Sequence, residues 1–379
     1  MRILIPTMDY PPATGGIARI TLELSRELAA MGHVVSIVAP RAPGMAALDR
    51  AEAAQIIRFA GRRRGCFCFL PLCWKTWRLA GRADLILAIS GVYGGIIARG
   101  ARLLRGTPYL VFAHADECLR YRRAPIMRGL LRSVYRRANA TVALNRHARR
   151  NLELFGVPER DIALIPPGAR LAEPLPETAI HAVRERFEIG NGRMVLAVGH
   201  FVSRRNHLTL VKAMPQVLER HPNTHLVMAG QGPCLEECRE KARALGIEGQ
   251  VHCPGHVDEA TLETLYQACD VFVQPFGENA WDTDLGLAVT EACARGKPVV
   301  AGRAGGIPDV VVDRQTGFLV ASEKPDALAA PVVAILDDAA LAKRLGEAGR
   351  RRVEEELNWR VFAEKVIAAA SRKGGATAP

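Results

Sequence analysis

The sequence predicts an α/β protein made of two parallel-sheet domains facing a cleft, and three observations carry the prediction. Short apolar runs alternate with amphipathic stretches through both halves of the 379 residues. Glycine-rich turns close several of those runs, at Gly15-Gly16, Gly199, Gly230 to Gly232 and Gly305-Gly306. A Pro-rich segment, Leu171 to Pro176, followed by Gly190-Asn191-Gly192, divides the chain into halves that are each of ordinary domain size.

In the first half, Arg2 to Pro6 reads as a strand and Met8 to Ile17 as a loop with Pro11, Pro12, Gly15 and Gly16. Ala18 to Met31 has helical periodicity, with Ile20, Leu22, Leu24, Leu28 and Ala29 on one side, and Gly32-His33 ends it. Val34 to Ala39 is the next strand. The Gly-Gly loop is not GxGxxG. It either presents backbone N–H groups to a ligand or supplies a turn that needs glycine dihedrals. Further strands are expected at Asp84 to Ile89, Tyr109 to Phe112, Ala140 to Leu144 and Ile162 to Ile165. His114 stands just past the strand at Tyr109 to Phe112, beside Asp116 and Glu117, a position that suits a site or a structural histidine equally. Two stretches are basic: Arg62 to Arg82, interleaved with Phe67, Phe69, Leu70, Leu72, Trp74 and Trp77, and Arg120 to Arg137. Each fits a face for anionic lipid headgroups and equally a solvated Arg-rich face.

The second half repeats the alternation. A helix at Glu177 to Phe187 precedes a strand at Met194 to Val198, the loop Gly199 to His207 and a helix at Leu208 to Arg220. Strands at Leu226 to Ala229 and Val251 to Cys253 and a helix at Ala260 to Ala268 follow. The tail, Asp326 to Ser371, reads as helical. Between them lies the most informative unit, Gln274 to Gly306 with the strand that leads into it: a strand at Val271 to Val273, a loop rich in Gly, Asn and Asp, a helix from about Leu285, and a strand at Pro298 to Ala301. A helix that starts at the carboxyl end of a parallel strand offers N–H groups and a positive dipole end to a phosphate. Glu291 is expected about two turns in, roughly 10 Å from the helix start at about 1.5 Å per residue. Such spacing holds a nucleotide sugar lengthwise. The same pattern also reads as an ordinary βαβ unit with a surface glutamate.

Composition excludes other classes. The apolar and charged fractions, 49% and 24%, are those of a globular protein. The start, Met1-Arg2-Ile3-Leu4-Ile5-Pro6, lacks the small-residue cleavage site of a signal peptide, and no run of eighteen apolar residues occurs. The expected location is the cytoplasm, with the inner face of a membrane as the alternative. The nine cysteines are scattered, without zinc-site spacing, and read as reduced structural thiols. The net charge of +12 suits an anionic substrate, a membrane or nucleic acid. No zinc-finger or RNA-binding signature supports nucleic acid as a partner.

Several longer segments resemble the retaining nucleotide-sugar glycosyltransferases of the GT-B fold, family four. In the second half these are VGHFVSRRNHLTLVKAMPQVLERHPNTHLVMAGQGP from Val198, GHVDEATLETLYQACDVFVQP from Gly255 and LGLAVTEACARGKPVVAGRAGGIPDVVVDRQTGFLV from Leu285. In the first half GGIARITLELSRELAAMGHVVSIVAP resembles the family's N-terminal loop and helix. IPPGA resembles its hinge, where an Asn commonly replaces Pro167. The resemblance implies two Rossmann-like domains. One is an acceptor-side domain at 1–168, with a C-terminal helix at about 356–372 packing back on it. The other is a donor-binding domain at 190–355. It implies a nucleotide diphosphate sugar as donor, a sugar or lipid-linked glycan as acceptor, retention of configuration, and no metal or other cofactor.

Residue by residue, Arg205 matches the family's diphosphate-contacting Lys, with Arg204 beside it, and His200 stands where an Arg is usual. Glu291 matches the ribose-binding Glu. Leu285, Gly286 and Leu287 match the helix start, Gly15 and Gly16 the loop that approaches the phosphates, and His114 the histidine near the transferred sugar. The family's second Glu is replaced by Thr283, flanked by Asp282 and Asp284, so Thr283 and Asp284 join His114 as catalytic candidates. Those departures leave two other readings: a donor-binding protein that has lost catalysis, and a nucleotide-sugar epimerase.

Overall fold

The computed structural model describes residues 1–13, 15–60, 66–277 and 285–371, the side chains of 66–68 and 115–116 apart. The chain divides into two units, one comprising Met1–Pro167 with the C-terminal stretch from Trp359, the other Gly168–Asn358.

The first unit runs β1 (Arg2–Pro6), α1 (Gly16–Ala30), β2 (Val34–Pro40), α2 (Met45–Ala51), β3 (Gln55–Phe59), α3 (Cys66–Ala80) and β4 (Leu85–Ala88). A single π-helical turn, Gly91–Gly95, leads into α4 (Ile96–Arg105). Then come β5 (Tyr109–Ala113), α5 (Ala115–Arg120), α6 (Pro125–Arg137), β6 (Ala140–Ala143), α7 (Arg146–Leu154) and β7 (Ile162–Leu164). The sheet is parallel throughout, in the order β3-β2-β1-β4-β5-β6-β7. Strands such as Leu85–Ala88 and Tyr109–Ala113 are buried at every position, because helices cover both faces of a parallel sheet. Leu72 and Cys73 of α3, Ile97 and Ala101 of α4, and Leu131 and Val134 of α6 share one core with Tyr109 and Val111. Alternation along the strand sends Phe112 to the other face. There it meets Phe362, ring centroids 6.2 Å apart.

The second unit runs α8 (Glu177–Arg186), β8 (Arg193–Val198), α9 (His207–Arg220), β9 (Thr224–Ala229), α10 (Leu235–Ala244), β10 (Val251–Gly255) and α11 (Glu259–Ala268). It continues with β11 (Val271–Gln274), α12 (Leu287–Ala294), β12 (Val299–Gly302), α13 (Ile307–Val310), β13 (Phe318–Val320), α14 (Pro325–Asp337) and α15 (Ala339–Glu355). Its parallel sheet has the order β10-β9-β8-β11-β12-β13. The last helix, α16 (Trp359–Ser371), belongs to the first unit, where it packs on α1 and β6.

Three differences from the sequence-based expectations stand out. The second unit begins at Gly168 rather than 190. The Pro-rich segment is fastened to α11 through Gln267, whose side chain accepts from Leu175 N–H at 2.9 Å and donates to the Glu173 carbonyl at 2.9 Å. Val183 and Phe187 then join the core of that unit. Its far end lies at Asn358, beyond the expected 355. The basic stretch from Arg62 is helical from Cys66 and buries Leu72, Cys73, Thr76 and Ala80, so only part of it is surface; residues 61–65 lie outside the described residues.

α16 contributes Trp359, Phe362, Ala363 and Val366 to a buried face. Phe362→Ala is therefore expected to lower stability by about 3–5 kcal/mol, read as a shift of the urea midpoint. A loss below about 1 kcal/mol would show that the α16 face contributes little to this core.

Candidate functional site

In the second unit strand order reverses between β8 and β11. Loops leaving the carboxyl ends of two such strands open a crevice where ligands bind in open α/β sheets. The loop after β8 is pinned by backbone contact. A Cβ on Gly230 would lie 1.8 Å from the Gly199 carbonyl oxygen, and one on Gly232 would lie 2.2 Å from that of Phe201. Both glycines have positive φ, 150° and 155°, which L side chains avoid. Three backbone bonds complete the contact: Gly199 N–H to Ala229, Phe201 N–H to Gln231 and Cys234 N–H to Phe201, at 2.8–3.0 Å. Ser203–Arg205 forms a 3-10 turn. Asn206 ends it at φ 55°, its amide donating to the Ser322 carbonyl at 2.6 Å and accepting from the Thr209 hydroxyl at 2.5 Å.

Of the three cations expected here, His200 and Arg204 are exposed and Arg205 is half-buried. The Arg205 guanidinium stacks over Phe276, 5.1 Å from the ring centroid. That contact joins the loop after β8 to the loop after β11. His207 begins α9 beneath them, buried and stacked on Phe201 with centroids 4.3 Å apart and planes at 16°. Neither ring nitrogen has a hydrogen-bond partner among the described residues. Burial, then the charges of Arg205 and His200, push its pKa down from 6.5 to about 3, so the ring is neutral.

The helix expected from Leu285 starts two residues later. Gly286 takes a left-handed conformation, φ 70°, and α12 begins at Leu287, so Leu285 stands outside it. Glu291 lies one turn in, roughly 6 Å along the axis at about 1.5 Å per residue, not two turns. Leu287, Ala288 and Val289 have no acceptor for their N–H groups within their own helix. The Gly305-Gly306 turn sits beside this start, the Gly306 carbonyl 3.7 Å from where a Cβ on Gly286 would be.

Glu291 is half-buried rather than a bare surface residue, and its Oε2 accepts from the Tyr266 hydroxyl at 3.0 Å. Arg295 lies over the Tyr266 ring at 5.2 Å and ion-pairs with Glu263, and its Nη1 donates to the Glu291 carbonyl at 2.9 Å. A carboxylate offers about four lone-pair positions, so the bond to Tyr266 does not by itself exhaust its capacity to accept. Sequence reasoning missed Tyr266 and Phe276, whose roles arise only from tertiary contact. It also missed Gln274, buried at the end of β11 with no partner for either amide atom among the described residues. Thr283 and Asp284, with Asp282, lie outside the described residues.

In the first unit the order reverses between β1 and β4. Gly15, at φ 127°, precedes α1, and Gly16 opens it; both are exposed. His114 is buried at the end of β5, and its Nε2 donates to the Ile89 carbonyl at 2.7 Å. A carbonyl only accepts, so Nε2 carries the proton and Nδ1 is the ring's remaining polar atom. The next turn brings in Glu117, whose carboxylate accepts from Gly91 N–H at 2.8 Å, Val92 N–H at 3.3 Å and the Tyr135 hydroxyl at 3.0 Å. Burial pushes the Glu117 pKa up, against the pull of His114 and those donors. A Cβ on Gly91 would meet the Tyr135 hydroxyl at 2.2 Å. Glu117 therefore holds the π-helical turn against β5. The glycine cluster Gly91-Val92-Tyr93-Gly94-Gly95 is the local signal of that turn that sequence reasoning missed. No group of three or more metal-ligating side chains occurs among the described residues.

Comparison with known proteins places these features in a family. Residues 14–173 match the model described as Glycosyltransferase Family 4, and residues 181–352 match Glycosyl transferases group 1. The chain is 29% identical over 376 residues to a GDP-mannose-dependent alpha-(1-6)-phosphatidylinositol monomannoside mannosyltransferase of Mycobacterium tuberculosis, covering 96% of this chain and 97% of that one. A protein of the same name from Mycolicibacterium smegmatis is 29% identical over 368 residues, covering 94% and 95%. Among solved structures, Anabaena HepE in complex with UDP superposes with a TM-score of 0.79 at 17% identity, over 98% of this chain and 100% of that one. Sucrose-phosphate synthase of Thermosynechococcus elongatus gives 0.79 at 23% identity, over 99% and 100%. At these identities the structures share the fold.

His207→Phe keeps the stack on Phe201 and removes the imidazole. A histidine titrating near 3 folded and near 6.5 unfolded binds its proton only in the unfolded chain between those values. Stability from this group is thus lost as pH falls from 6.5 toward 3. The variant is expected to flatten the pH dependence of the urea midpoint across that window. An unchanged slope would mean that His207 does not carry it.

Proposed function

The chain belongs to the family-four glycosyltransferases of the GT-B fold, and from that premise we propose that it transfers a hexose-type sugar from a nucleoside diphosphate sugar to an acceptor hydroxyl. In this reading the anomeric configuration is retained, no metal is required, and the acceptor belongs to polysaccharide, lipopolysaccharide or glycolipid synthesis. One observation carries it: Arg205 bridges the two loops at the reversal of strand order by stacking over Phe276. A guanidinium at that point suits the charge of a departing diphosphate.

The donor's bond between sugar carbon and phosphate oxygen breaks with oxocarbenium character. The acceptor hydroxyl adds from the same face, and its proton passes to the departing phosphate oxygen. Arg205 and the N–H groups at the start of α12 take the negative charge, with Arg204 and His200 adding to it. A preorganised charge of this kind needs no rearrangement when the bond breaks. Glu291, oriented by Tyr266, accepts the ribose hydroxyls. His114 is assigned a hydrogen bond to the transferred sugar, with Thr283 and Asp284 in the place of the family's second glutamate. Two relatives at 29% identity are GDP-mannose-dependent, and HepE was solved with UDP-glucose. GDP-mannose is therefore the first donor to test and UDP-glucose the second.

The reading is tested in two steps. A native-state ligand raises the melting temperature, so a donor or its nucleoside diphosphate should do so here. Arg205→Ala should then lower kcat/KM by about 100-fold while the melting temperature of the unliganded protein stays within about 2 °C. Unchanged turnover would remove Arg205 from the reaction. Tight donor binding without transfer to any acceptor would favour a binding protein instead. Tyr266→Phe keeps the buried ring and deletes the bond to Glu291, at a cost of about 1 kcal/mol. An increase of roughly fivefold in donor KM with kcat preserved is expected. A fall in kcat alone would assign Tyr266 elsewhere.

A further inference from the structure

We propose that α3, α4 and α6 together form a docking surface for a bilayer rich in anionic phospholipid. The proposal supplies a partner for the lipid-linked acceptor and rests on that part of the reading above, but its evidence is separate. The three helices pack side by side, α3 on α4 and α4 on α6, over one face of the first sheet. Their sequences hold nine Lys or Arg and no Asp or Glu. Arg78, Arg102, Arg105, Arg128, Arg132, Arg136 and Arg137 are exposed, and none is ion-paired among the described residues. Other helices look different. Arg243 reaches Glu236 on α10, Arg350 reaches Glu354 on α15, and Arg360 reaches Glu364 on α16. A solvated face of this protein is charge-mixed, and the α3–α4–α6 layer is not.

The same layer exposes several large apolar side chains. Ile126 is 86% exposed and Leu103 70%, and Leu70, Trp74, Leu104 and Leu130 are exposed beside them. A groove of about 410 Å³ between α3 and α4 is lined by Trp74, Trp77, Arg78, Leu104 and Arg105. The Arg78 guanidinium lies over Trp74 at 5.4 Å, and Trp77 turns its N–H inward to the Ile97 carbonyl at 3.0 Å. The groove thus presents indole faces flanked by two guanidinium groups. A lipid headgroup phosphate pairs with guanidinium, and the acyl boundary beneath it takes leucine, isoleucine and indole. Nucleic acid offers phosphates but no place for Leu103, Leu104, Ile126 and Leu130. Among the described residues no helix is long and apolar enough to cross a membrane.

The test uses the whole chain and sedimentation with vesicles of phosphatidylcholine, with and without phosphatidylglycerol. Binding is expected to the mixed vesicles and not to the neutral ones, weakened but not abolished by high salt. Leu103→Glu with Leu104→Glu should weaken it at least tenfold, and Leu104→Trp should preserve it. Arg128→Gln with Arg136→Gln and Arg137→Gln keeps the apolar ridge and should lose the preference for anionic lipid. Equal behaviour toward both vesicle types, or no effect of either multiple variant, would overturn the proposal. So would single-stranded RNA that displaces the protein from vesicles and whose own binding is lost in the same variants. GDP and UDP thermal shifts, measured on every variant, separate the two readings. An unmodified chain that binds nucleotide but no mixed vesicle sinks only the surface, and one that binds mixed vesicles but no nucleotide sinks only the donor assignment.

Discussion

The candidate donor site depends on a contact made without side chains. Gly230 and Gly232 bring the β9 turn against the backbone of Gly199 and Phe201 so closely that any Cβ would overlap a carbonyl oxygen. That approach fixes the loop after β8, and the loop fixes where Arg205 emerges. Asn206 fastens the other end to the Ser322 carbonyl. A flexible, long side chain thereby acquires a defined origin, and its stacking on Phe276 removes more of its freedom. Placing a charge this way costs conformational entropy during folding and none at the moment of reaction.

Glu291 is positioned by a different device. Its place on α12 sets the height, and the Tyr266 hydroxyl sets the direction of the carboxylate. Tyr266 is itself buried, and burial beside Glu291 pushes its pKa up, so it stays a donor. Arg295 and Glu263 close the arrangement from the far side. Each polar group faces an opposite charge or a hydrogen-bond partner, which is how such a cluster tolerates low dielectric.

Much of this was legible in the sequence because it depends on short-range pattern. The strands at Arg2–Pro6, Arg193–Val198 and Val271–Gln274 read as apolar runs, and helices such as α1 and α9 as 3.6-residue periodicity. The Gly-rich turns marked the sheet's carboxyl edge. What failed to show has physical reasons. Leu285 continues the apolar period of α12, and only the left-handed Gly286 stops it. The π-helical turn at Gly91–Gly95 depends on Glu117, 26 residues along the chain from Gly91. Tyr266 lies 25 residues from Glu291, and no local pattern links them. The Pro-rich segment after Gly168 reads as a linker because composition cannot reveal that Gln267 fastens it. The buried amide of Gln274 and imidazole of His207, without partners among the described residues, sit where periodicity expects apolar residues.

The membership of α16 in the first unit has a consequence for synthesis. Phe112 and its neighbours on that face of the first sheet are covered by a helix that starts 195 residues after β7 ends, since α16 starts at Trp359 and β7 ends at Leu164. As the chain leaves the ribosome, the second unit is therefore fully translated while the first still lacks a wall. The domain that begins first finishes last, and its uncovered aromatic face is the surface a chaperone would meet during that interval.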